Sequence, residues 1–345
     1  TARLLKAPPG FKVQAWTTDT PLARFMVMTP DGDLIVSRTR GDEVVLVERD
    51  RNGDGRADGV RVLLPNLSRP HGLALHDGYL YVAESTAVGR VKFDAANGKL
   101  AGPYEHIVTG FTDDGHHFTK SIGFGPDGWL YLAQGSSCNV CEEKDPRRAT
   151  MMRMHADGSG LETYATGLRN SVGFDWAPWD GALYATENAR DLLGDDFPPD
   201  ELNRVEPGKF YGWPYVNGFN VLDPDLGPGH EDQLARAAPP VHGFRPHNAP
   251  LGMAFLHSPR WPAPFQRTAI VALHGSWNRS QLDGYKVVAL TWQADGTIVE
   301  SDFLTGFLTE SKLIGRPAGV LEGPDGAIYV SDDYAGVIYR ITYTG

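Results

Sequence analysis

The stretch FGPDGWLYLAQG, residues 124–135, carries the pattern that decides the fold. A loop ends in Asp-Gly, and a short strand of alternating apolar residues follows it. Because glycine tolerates positive φ angles, Asp-Gly is a strong signal for the turn of a β-hairpin. The stretch therefore predicts a tight turn that leads directly into a strand.

The same pattern recurs along the chain, and no long amphipathic helix interrupts it. Its strands are rich in Val, Ile, Leu and Tyr, and its loops are rich in Gly, Asp and Pro. The other copies are TPDGDLIVSRTRGDEVVLVERD (29–50), LHDGYLYVAESTAVGRVKFD (75–94), APWDGALYATEN (177–188), the segment 251–292 with a longer turn, and EGPDGAIYVSDDYAGVIYRIT (322–342). Six units, each with room for about four strands, predict an all-β fold, a six-bladed β-propeller that forms one domain over residues 1–345.

Two further features concern the ends of the propeller. The segment GFKVQAW (10–16) is expected to add a strand to the last blade and close the ring. The insertions 188–214 and 215–250 are rich in Pro, Gly, Asp and Asn, so they predict long loops. Long loops in a compact fold are usually functional or disordered, and we expect these at the mouth of the channel where a propeller binds its ligand.

Composition limits the partners of the chain. It has 32 Lys and Arg against 43 Asp and Glu, a formal net charge of −11. This balance argues against nucleic acid or an anionic membrane as the main partner, but it allows a small anionic ligand in a locally basic pocket. No apolar run approaches the ~20 residues that span a bilayer. Because the sequence starts at Thr1 rather than Met, we expect a processed or trimmed form.

Two short motifs combine residues that suit acid–base and electrophilic chemistry. His117 lies eight residues before Gly125 on a predicted strand, and its neighbour His116 is expected to point to the opposite face. Histidine is a base near neutral pH, although both residues could equally be structural or surface histidines. Arg169 and Asn170 occupy the matching place before the fourth repeat turn. They could polarise a carbonyl oxygen, or form a salt bridge and a turn.

Acidic loops suggest possible cation sites. The segment 187–214 is acidic and is either a loop around a hard cation or a solvated loop. The segment DRNGDGRAD (50–58) follows positions 1, 3, 5 and 9 of a calcium loop. Its twelfth position is Arg61 instead of the bidentate Glu that such loops need, so the segment favours a hairpin turn.

The chain has two cysteines, Cys138 and Cys141. In an oxidising compartment they are expected to form a small-ring disulfide that fixes the loop after the third repeat turn. Redox activity of a Cys-x-x-Cys motif usually requires a helix after it, and none is predicted here.

Taken in order, these motifs resemble the glucose/sorbosone dehydrogenase group of soluble sugar dehydrogenases that depend on pyrroloquinoline quinone (PQQ), and the sorbosone- and pyranose-type members most. The resemblance covers nearly the whole chain. It rests on HFTKSIGFGPDGWLYLAQGSSC (117–138), GLRNSVGF (167–174), DELNRVEPGKFYGWP (200–214), HNAPLGMAF (247–255), HGSWNRSQLDGYKVV (274–288) and GRPAGVLEGPDGAIYVSDD (315–333).

The resemblance implies a catalytic site. His117 matches the family's catalytic base, and Arg169 with Asn170 matches the pair that polarises the reactive quinone carbonyl. In glucose-oxidising members an Asp orients the base, but Ser136 stands at that position here. We therefore expect another group, or water, to steady His117. Lys120 lies three residues after His117 and is expected to point to the opposite face.

The resemblance also implies a cofactor site. Arg316 matches an arginine that contacts a cofactor carboxylate, His247 matches a polar contact, and His274 or Arg279 replaces a lysine. A clamping Ca²⁺ is expected on the backbone carbonyls of Ala189 and Arg190.

The implied function is PQQ-dependent oxidation of an aldose or a related sugar by a periplasmic or secreted enzyme. His117 would take the hydroxyl proton while hydride leaves, and Ca²⁺, Arg169 and Asn170 would polarise the quinone. Cys141 is followed by Glu142, so no haem-attachment motif is present and the electrons are expected to pass to a separate acceptor, a quinone or a cytochrome. The alternatives are a calcium-dependent lactonase on the same scaffold and a non-catalytic propeller that serves as a binding module.

Overall fold

A computed structural model describes residues 2–310 and 312–345, and they are almost entirely β-structure. The strands of the first half are β1 (Phe11–Thr17), β2 (Ala23–Met28), β3 (Leu34–Arg38), β4 (Glu43–Glu48), β5 (Gly59–Leu64), β6 (Leu73–His76), β7 (Tyr79–Ala83), β8 (Ala87–Asp94), β9 (Lys99–Leu100), β10 (Glu105–Thr109), β11 (Lys120–Phe124), β12 (Leu130–Gln134), β13 (Thr150–Met154) and β14 (Glu162–Thr166). Those of the second half are β15 (Ser171–Trp176), β16 (Leu183–Glu187), β17 (Asp200–Val205), β18 (Val216–Asn217), β19 (Val221–Leu222), β20 (His242–Phe244), β21 (Pro250–Phe255), β22 (Thr268–Leu273), β23 (Lys286–Trp292), β24 (Ile298–Leu304), β25 (Pro317–Glu322), β26 (Ile328–Asp332) and β27 (Val337–Tyr343).

Helical structure is limited to short segments. They are α1 (Gln233–Arg236) and the 3₁₀ turns Ala2–Leu4, Thr39–Gly41 and Ala263–Phe265. None of the helices in the described ranges has the length and apolar character needed to cross a bilayer.

Apart from the separate two-stranded β18–β19 sheet, the strands form six antiparallel sheets, which confirms the six-bladed β-propeller. In strand order the blades are β2-β3-β4-β5, β6-β7-β8-β10 with β9 beside β8, β11-β12-β13-β14, β15-β16-β17-β20, β21-β22-β23-β24 and β25-β26-β27-β1. The innermost strand of each blade contacts the innermost strands of both neighbours, so β2, β6, β11, β15, β21 and β25 surround a closed central channel. The extent of the domain over residues 1–345 stays a prediction, and Thr1 and Ser311 lie outside the described residues.

The N-terminal strand closes the ring, as the sequence predicts. β1 pairs with β27 in antiparallel register, with Phe11 opposite Tyr343. The Phe11 ring also packs against Trp261, Phe265 and Phe303, so the closing strand is held by an aromatic cluster in addition to its ladder.

The Asp-Gly turns form where the repeat predicts them. Gly128 has a φ of 80°, and its N–H donates to the Gly125 carbonyl oxygen at 2.9 Å just before β12 begins. Gly32, Gly78, Gly181 and Gly326 have φ between 70° and 97° at the equivalent turns. A residue with a Cβ is strained in this left-handed region, so the glycines fix where each second strand starts. The segment 50–58 is likewise a turn, between β4 and β5.

The long-loop prediction for 188–214 is partly wrong, because this insertion contains β17, the third strand of the fourth blade. Its Leu202 and Asn203 are fully buried, since both faces of an inner blade strand pack against neighbouring structure. The acidic and proline-rich residues on both sides of β17 make its strand pattern hard to recognise in the sequence. The insertion 215–250 carries the β18–β19 hairpin, α1 and β20, the outer strand of that blade.

Candidate functional site

The main candidate cavity opens at one mouth of the channel and has a volume of about 440 Å³. Five blades contribute to its wall. The lining residues are Leu22, Arg24, Thr39, Arg40, His117, Phe118, Thr119, Asn170, Val172, Leu251, His274, Arg316, Asp333 and Tyr334. A second cavity of about 200 Å³ also contains His117 and Asn170 in its lining, so these two residues lie between the two spaces.

His117 does not lie on a strand, so the prediction that His116 and His117 alternate across a sheet is wrong. β11 begins only at Lys120, and His117 has a φ of 49°. The His116 N–H donates to the Ser137 carbonyl oxygen at 2.8 Å. The segment around His117 is therefore hydrogen-bonded to the loop after β12 instead of to a neighbouring strand. The left-handed backbone conformation of His117 directs its side chain into the cavity.

Ser136 fixes the tautomer of His117. The Nδ1 atom lies 3.0 Å from the Ser136 carbonyl oxygen and 3.0 Å from its Oγ. A carbonyl oxygen only accepts, so Nδ1 carries the proton. The Ser136 hydroxyl donates its own proton to the Cys138 carbonyl oxygen at 2.7 Å, which leaves Oγ as a second acceptor for Nδ1–H. The Nε2 atom of His117 therefore carries the lone pair, with no hydrogen-bond partner among residues 2–310 and 312–345, and Ser136 steadies the ring through Nδ1.

The electrostatics keep His117 neutral. Burial lowers the pKa of His117 well below its usual value, and the nearby Arg169 guanidinium lowers this pKa further. An unprotonated imidazole at neutral pH is the form that accepts a proton.

Arg169 is buried, with 3% of its side chain exposed, and it is held by backbone carbonyls. Its Nε–H donates to the Asn139 carbonyl oxygen, and its Nη1 donates to the carbonyl oxygens of Asn188 and Ala189, each at 2.9 Å. Its Nη2 lies 3.4 Å from Asp191 Oδ2. The ion pair allowed by the sequence is present, and the guanidinium still lines the second cavity.

The Asn170 side-chain amide forms no hydrogen bond within residues 2–310 and 312–345, and it lines both cavities. The backbone of Asn170 is held in place, because its N–H donates to Glu187 Oε1 at 2.8 Å. Glu187 also accepts a hydrogen bond from the Ser171 hydroxyl, and burial raises the pKa of its carboxyl to about 7. The amide is therefore a rigidly placed group with free donors and a free acceptor.

The wall of the main cavity opposite the base is cationic. Arg316 donates from Nε to the His274 carbonyl oxygen at 3.1 Å. Arg24 forms an ion pair of 2.7 Å with Asp333, and His274 Nε2 lies 3.0 Å from the same carboxylate. Arg40 is exposed at the rim. Three arginines against one aspartate make this cavity locally basic in a chain of net charge −11.

The structure brings His247 to the second cavity, but both of its ring nitrogens are engaged. Nε2 lies 2.7 Å from the Gly194 carbonyl oxygen, and Nδ1 lies 3.2 Å from Asn278 Nδ2. Arg279 is not brought to either cavity, because its Nη1 donates to the carbonyl oxygens of Asp195 and Pro246. The cofactor contacts of these two residues stay predictions.

Lys120 lies away from the site. Its Nζ donates to the carbonyl oxygens of Thr112 at 3.0 Å and Phe118 at 3.1 Å, and burial lowers its pKa to about 7. It ties the segment before β11 to the start of that strand.

Oxygen atoms suited to a hard cation lie beside the second cavity. The carbonyl oxygen of Ala189 accepts one bond from Arg169, and a carbonyl has two lone pairs. The carboxyl groups of the half-buried Asp191 and of the buried Asp200 and Glu187 offset the positive charge of Arg169 there. The neighbouring Arg190 forms a buried ion pair of 2.7 Å with Asp223, which fixes the chain on that side. This donor set fits the predicted calcium position, and the ligand roles of Ala189 and Arg190 stay predictions.

Cys138 and Cys141 form a disulfide, as predicted. In the described ranges they and Glu143 are the one group of three potential metal ligands from Cys, His, Asp and Glu side chains that lie close together. Two sulfurs bonded to each other are not thiolates, so this group is not a metal site in the oxidised protein.

Sequence reasoning missed several residues of the site. The pairing of Arg24 with Asp333 was not predicted, because these residues come into contact only when the last blade packs against the first. Arg24 is nevertheless the second residue of the innermost strand β2, and Arg316 directly precedes the innermost strand β25, so their similar positions are a signal in the sequence. Two aromatic side chains were also missed: Tyr334, 58% exposed in the main cavity, and Trp277, 68% exposed in the second.

Comparison with known proteins identifies relatives over nearly the whole chain. Residues 21–340 match the family described as Glucose / Sorbosone dehydrogenase. The sequence is 34% identical over 405 residues to a pyrroloquinoline quinone-dependent pyranose dehydrogenase of Coprinopsis cinerea, covering 96% of this chain and 54% of that protein. It is 24% identical over 245 residues to the aldose sugar dehydrogenase YliI of Escherichia coli, covering 66% of this chain and 60% of that protein. The chain thus spans little more than half the length of these two relatives.

A solved structure shows the same fold. The holo form of the pyranose dehydrogenase PQQ domain from Coprinopsis cinerea aligns with a TM-score of 0.83 over 98% of this chain and 97% of that one, at 22% sequence identity. At this identity the likeness supports the fold alone.

Proposed function

This chain belongs to the glucose/sorbosone dehydrogenase family, and we propose that it is a PQQ-dependent dehydrogenase that oxidises an aldose or a related sugar. One observation carries the proposal: the free Nε2 of a tautomer-fixed His117 lines the same cavity as the cationic wall of Arg24, Arg40 and Arg316. A sugar hydroxyl needs a base, and an anionic cofactor needs cations, and the cavity supplies both.

The residues of the main cavity fit PQQ. This cofactor is a planar tricarboxylate, and Arg316, Arg24 and the rim Arg40 supply charge-assisted donors for its carboxylates. When bound, it would supply the two-electron acceptor for the hydride that leaves the sugar. Asn170, which lines both cavities, and Arg169, which lines the second, would in this proposal stabilise negative charge on an oxygen of that acceptor.

His117 performs the proton step in this proposal. Its Nε2 accepts the proton of the anomeric hydroxyl, and its Nδ1–H stays bonded to the Ser136 carbonyl oxygen throughout. The resulting imidazolium is buried beside Arg169, so it is a strong acid that readily returns its proton to solvent at the mouth.

We further propose Ca²⁺ as the second cofactor, held by the carbonyls of Ala189 and Arg190. Support comes from the oxygen-rich surroundings of the second cavity and from the three nearby carboxylates described above. A cation there would act as a Lewis acid beside Arg169.

The proposed substrate is a sugar and the proposed electron acceptor is a separate quinone or cytochrome. Exposed aromatic rings such as Trp277 at a cavity mouth suit the apolar face of a sugar ring. A periplasmic or secreted location is supported by the disulfide, because disulfides persist in oxidising compartments.

The test is to add PQQ with Ca²⁺ and to follow dye reduction with a panel of aldoses, while absorbance reports quinone binding. We expect binding and sugar-dependent dye reduction. Lactone hydrolysis with calcium alone would support the lactonase alternative instead. Absence of quinone binding and of both activities would leave a binding module and overturn the proposal.

A further inference from the structure

The loop that contains the Cys138–Cys141 disulfide contacts His117 and Arg169, the two groups assigned to chemistry. Ser136, two residues before Cys138, holds His117, and Asn139, one of the two residues between the cysteines, holds Arg169. We propose that Asn139 is a positioning residue that fixes Arg169 in the site and that the Cys138–Cys141 disulfide keeps Asn139 in the conformation that does so. This inference rests on the proposed function, because it concerns how the residue next to the quinone site is held.

Asn139 binds Arg169 through two different oxygens. Its carbonyl oxygen accepts from Arg169 Nε at 2.9 Å, and its side-chain Oδ1 accepts from Arg169 Nη2 at 3.0 Å. Two parallel bonds to one guanidinium fix the plane of the group as well as its position. Without the Oδ1 bond, Nη2 would keep only its 3.4 Å contact with Asp191 Oδ2.

Asn139 also holds the segment that carries the other Arg169 acceptors. Its Oδ1 accepts from the Asp191 N–H at 2.8 Å, and its Nδ2 donates to the Asp191 carbonyl oxygen at 3.1 Å. The carbonyl oxygens of Asn188 and Ala189, three and two residues earlier, bind Arg169 from the opposite side. Asn139 thus connects Arg169 to the segment whose carbonyl oxygens bind it, which includes Ala189, the proposed calcium ligand.

The backbone of Asn139 has to keep one orientation for this network to form. Its carbonyl oxygen also accepts from Trp213 Nε1 at 3.2 Å, so both a buried tryptophan and Arg169 converge on the same atom. A bond between Cys138 and Cys141 restricts the backbone torsions of the residues it encloses. Glu143 adds to the restraint, because its carboxylate accepts from the Ser137 hydroxyl at 2.7 Å.

The first test needs no cofactor. The Asp191 backbone amide reports the Asn139 contact, and hydrogen exchange of the quinone-free protein measures its protection. In Asn139→Ala we expect exchange at Asp191 to accelerate about five- to tenfold, the effect of one lost hydrogen bond. The Ala189 amide is an internal control, because it donates to Asp200 at 2.9 Å and should not change. Cys138→Ser/Cys141→Ser, which keeps Asn139, should accelerate exchange at Asp191 in the same direction.

The second test uses the holoenzyme with PQQ and Ca²⁺. We expect Asn139→Ala to lower kcat about 10- to 100-fold, as loss of an orienting partner typically does, with little change in the KM for sugar. Asn139→Asp keeps both acceptor oxygens and should recover most of the rate. Asn97→Ala removes an exposed asparagine that pairs with Asp94 outside both cavities, and it serves as the matched control.

A double-mutant cycle separates positioning from general destabilisation. If Asn139 acts through Arg169, Asn139→Ala should have no further effect on kcat in an Arg169→Ala background, whereas a structural role would give additive losses. Unchanged exchange at Asp191 in either variant, or additive losses of kcat, would overturn the inference. If wild type binds no quinone, the proposed function fails instead, and the exchange experiment still decides the role of Asn139.

Discussion

The Nδ1 atom of His117 lies 3.0 Å from two oxygens of Ser136, the backbone carbonyl oxygen and the hydroxyl Oγ. The backbone oxygen alone is enough to fix the tautomer, and the hydroxyl adds a second acceptor that carries no charge. The Ser136 hydrogen bond raises the pKa of His117, but burial and Arg169 outweigh it; a carboxylate partner would add the effect of its negative charge to this upward shift.

We therefore predict that Ser136→Asp shifts the pH dependence of catalysis. A carboxylate near the ring favours imidazolium and raises the pKa of His117, so the acid limb of kcat/KM should move to higher pH. Ser136→Ala keeps the carbonyl acceptor and should lower kcat only a few-fold, in line with one lost neutral hydrogen bond. Steady-state kinetics across pH measure both, and coincident acid limbs in Ser136→Asp and wild type would contradict the prediction.

Replacing the base should separate chemistry from cofactor binding. We expect His117→Ala to lower kcat by about 10²- to 10⁴-fold, the usual contribution of a general base, while quinone absorbance on titration stays close to wild type. Because the pKa of His117 lies well below its usual value, wild-type activity should not fall until the pH is well below 6.5. His116→Ala is the matched control and should retain activity, and similar losses in both variants would show that the base has been misassigned.

The cationic wall should determine quinone affinity. Arg316→Ala and Arg24→Ala each remove a charged donor from the main cavity, so we expect the Kd for PQQ to rise roughly 10- to 100-fold. Added salt should weaken wild-type binding, because part of the attraction is between charges. Arg56→Ala alters an exposed arginine in the 50–58 turn and should bind like wild type in the same titration. Equal affinity in all three variants would mean that the cofactor lies elsewhere.

A buried carboxyl below the site should make stability depend on pH. Burial, together with the neighbouring Glu187, raises the pKa of Glu201 to about 8. The folded state therefore holds a proton that the unfolded chain releases near 4.5, so this residue favours folding at low pH and loses that contribution as pH rises from about 4.5 to about 8. In Glu201→Gln the Tm should fall less between pH 5 and pH 8 than in wild type. Parallel Tm curves would show that Glu201 does not titrate in this range.

The exposed Trp277 should affect sugar binding and leave quinone binding unchanged. Because the residue is 68% exposed, it contributes little to the core, so Trp277→Ala should fold with an almost unchanged Tm. Loss of an aromatic surface for the sugar ring should raise the KM for the best aldose about 3- to 10-fold. Trp277→Phe retains a smaller ring and should show an intermediate KM. A KM unaffected by both substitutions would place the sugar away from this ring.

The sequence alone determined the fold, because the signals that define it are local. Each Asp-Gly pair places a glycine at a positive φ just before an apolar strand, and each of these five turns is specified by residues next to it in the sequence. The closing strand and the Cys138–Cys141 disulfide are also local or terminal features, and both are present as predicted. The strand β17 was missed because its own pattern is short and its flanks are acidic.

Only the tertiary structure decided how the site works. Arg24 and Asp333 are 309 residues apart in the chain, and they pair because ring closure places the first blade beside the last. Asn139 meets Arg169 across 30 residues, and Ser136 meets His117 across 19, at a mouth where loops from several blades converge. Propensity and spacing describe neighbours along the chain, whereas hydrogen-bond partners at a channel mouth are set by the geometry of a closed ring. The tautomer of the base and the clamp on Arg169 are therefore properties of the assembled propeller.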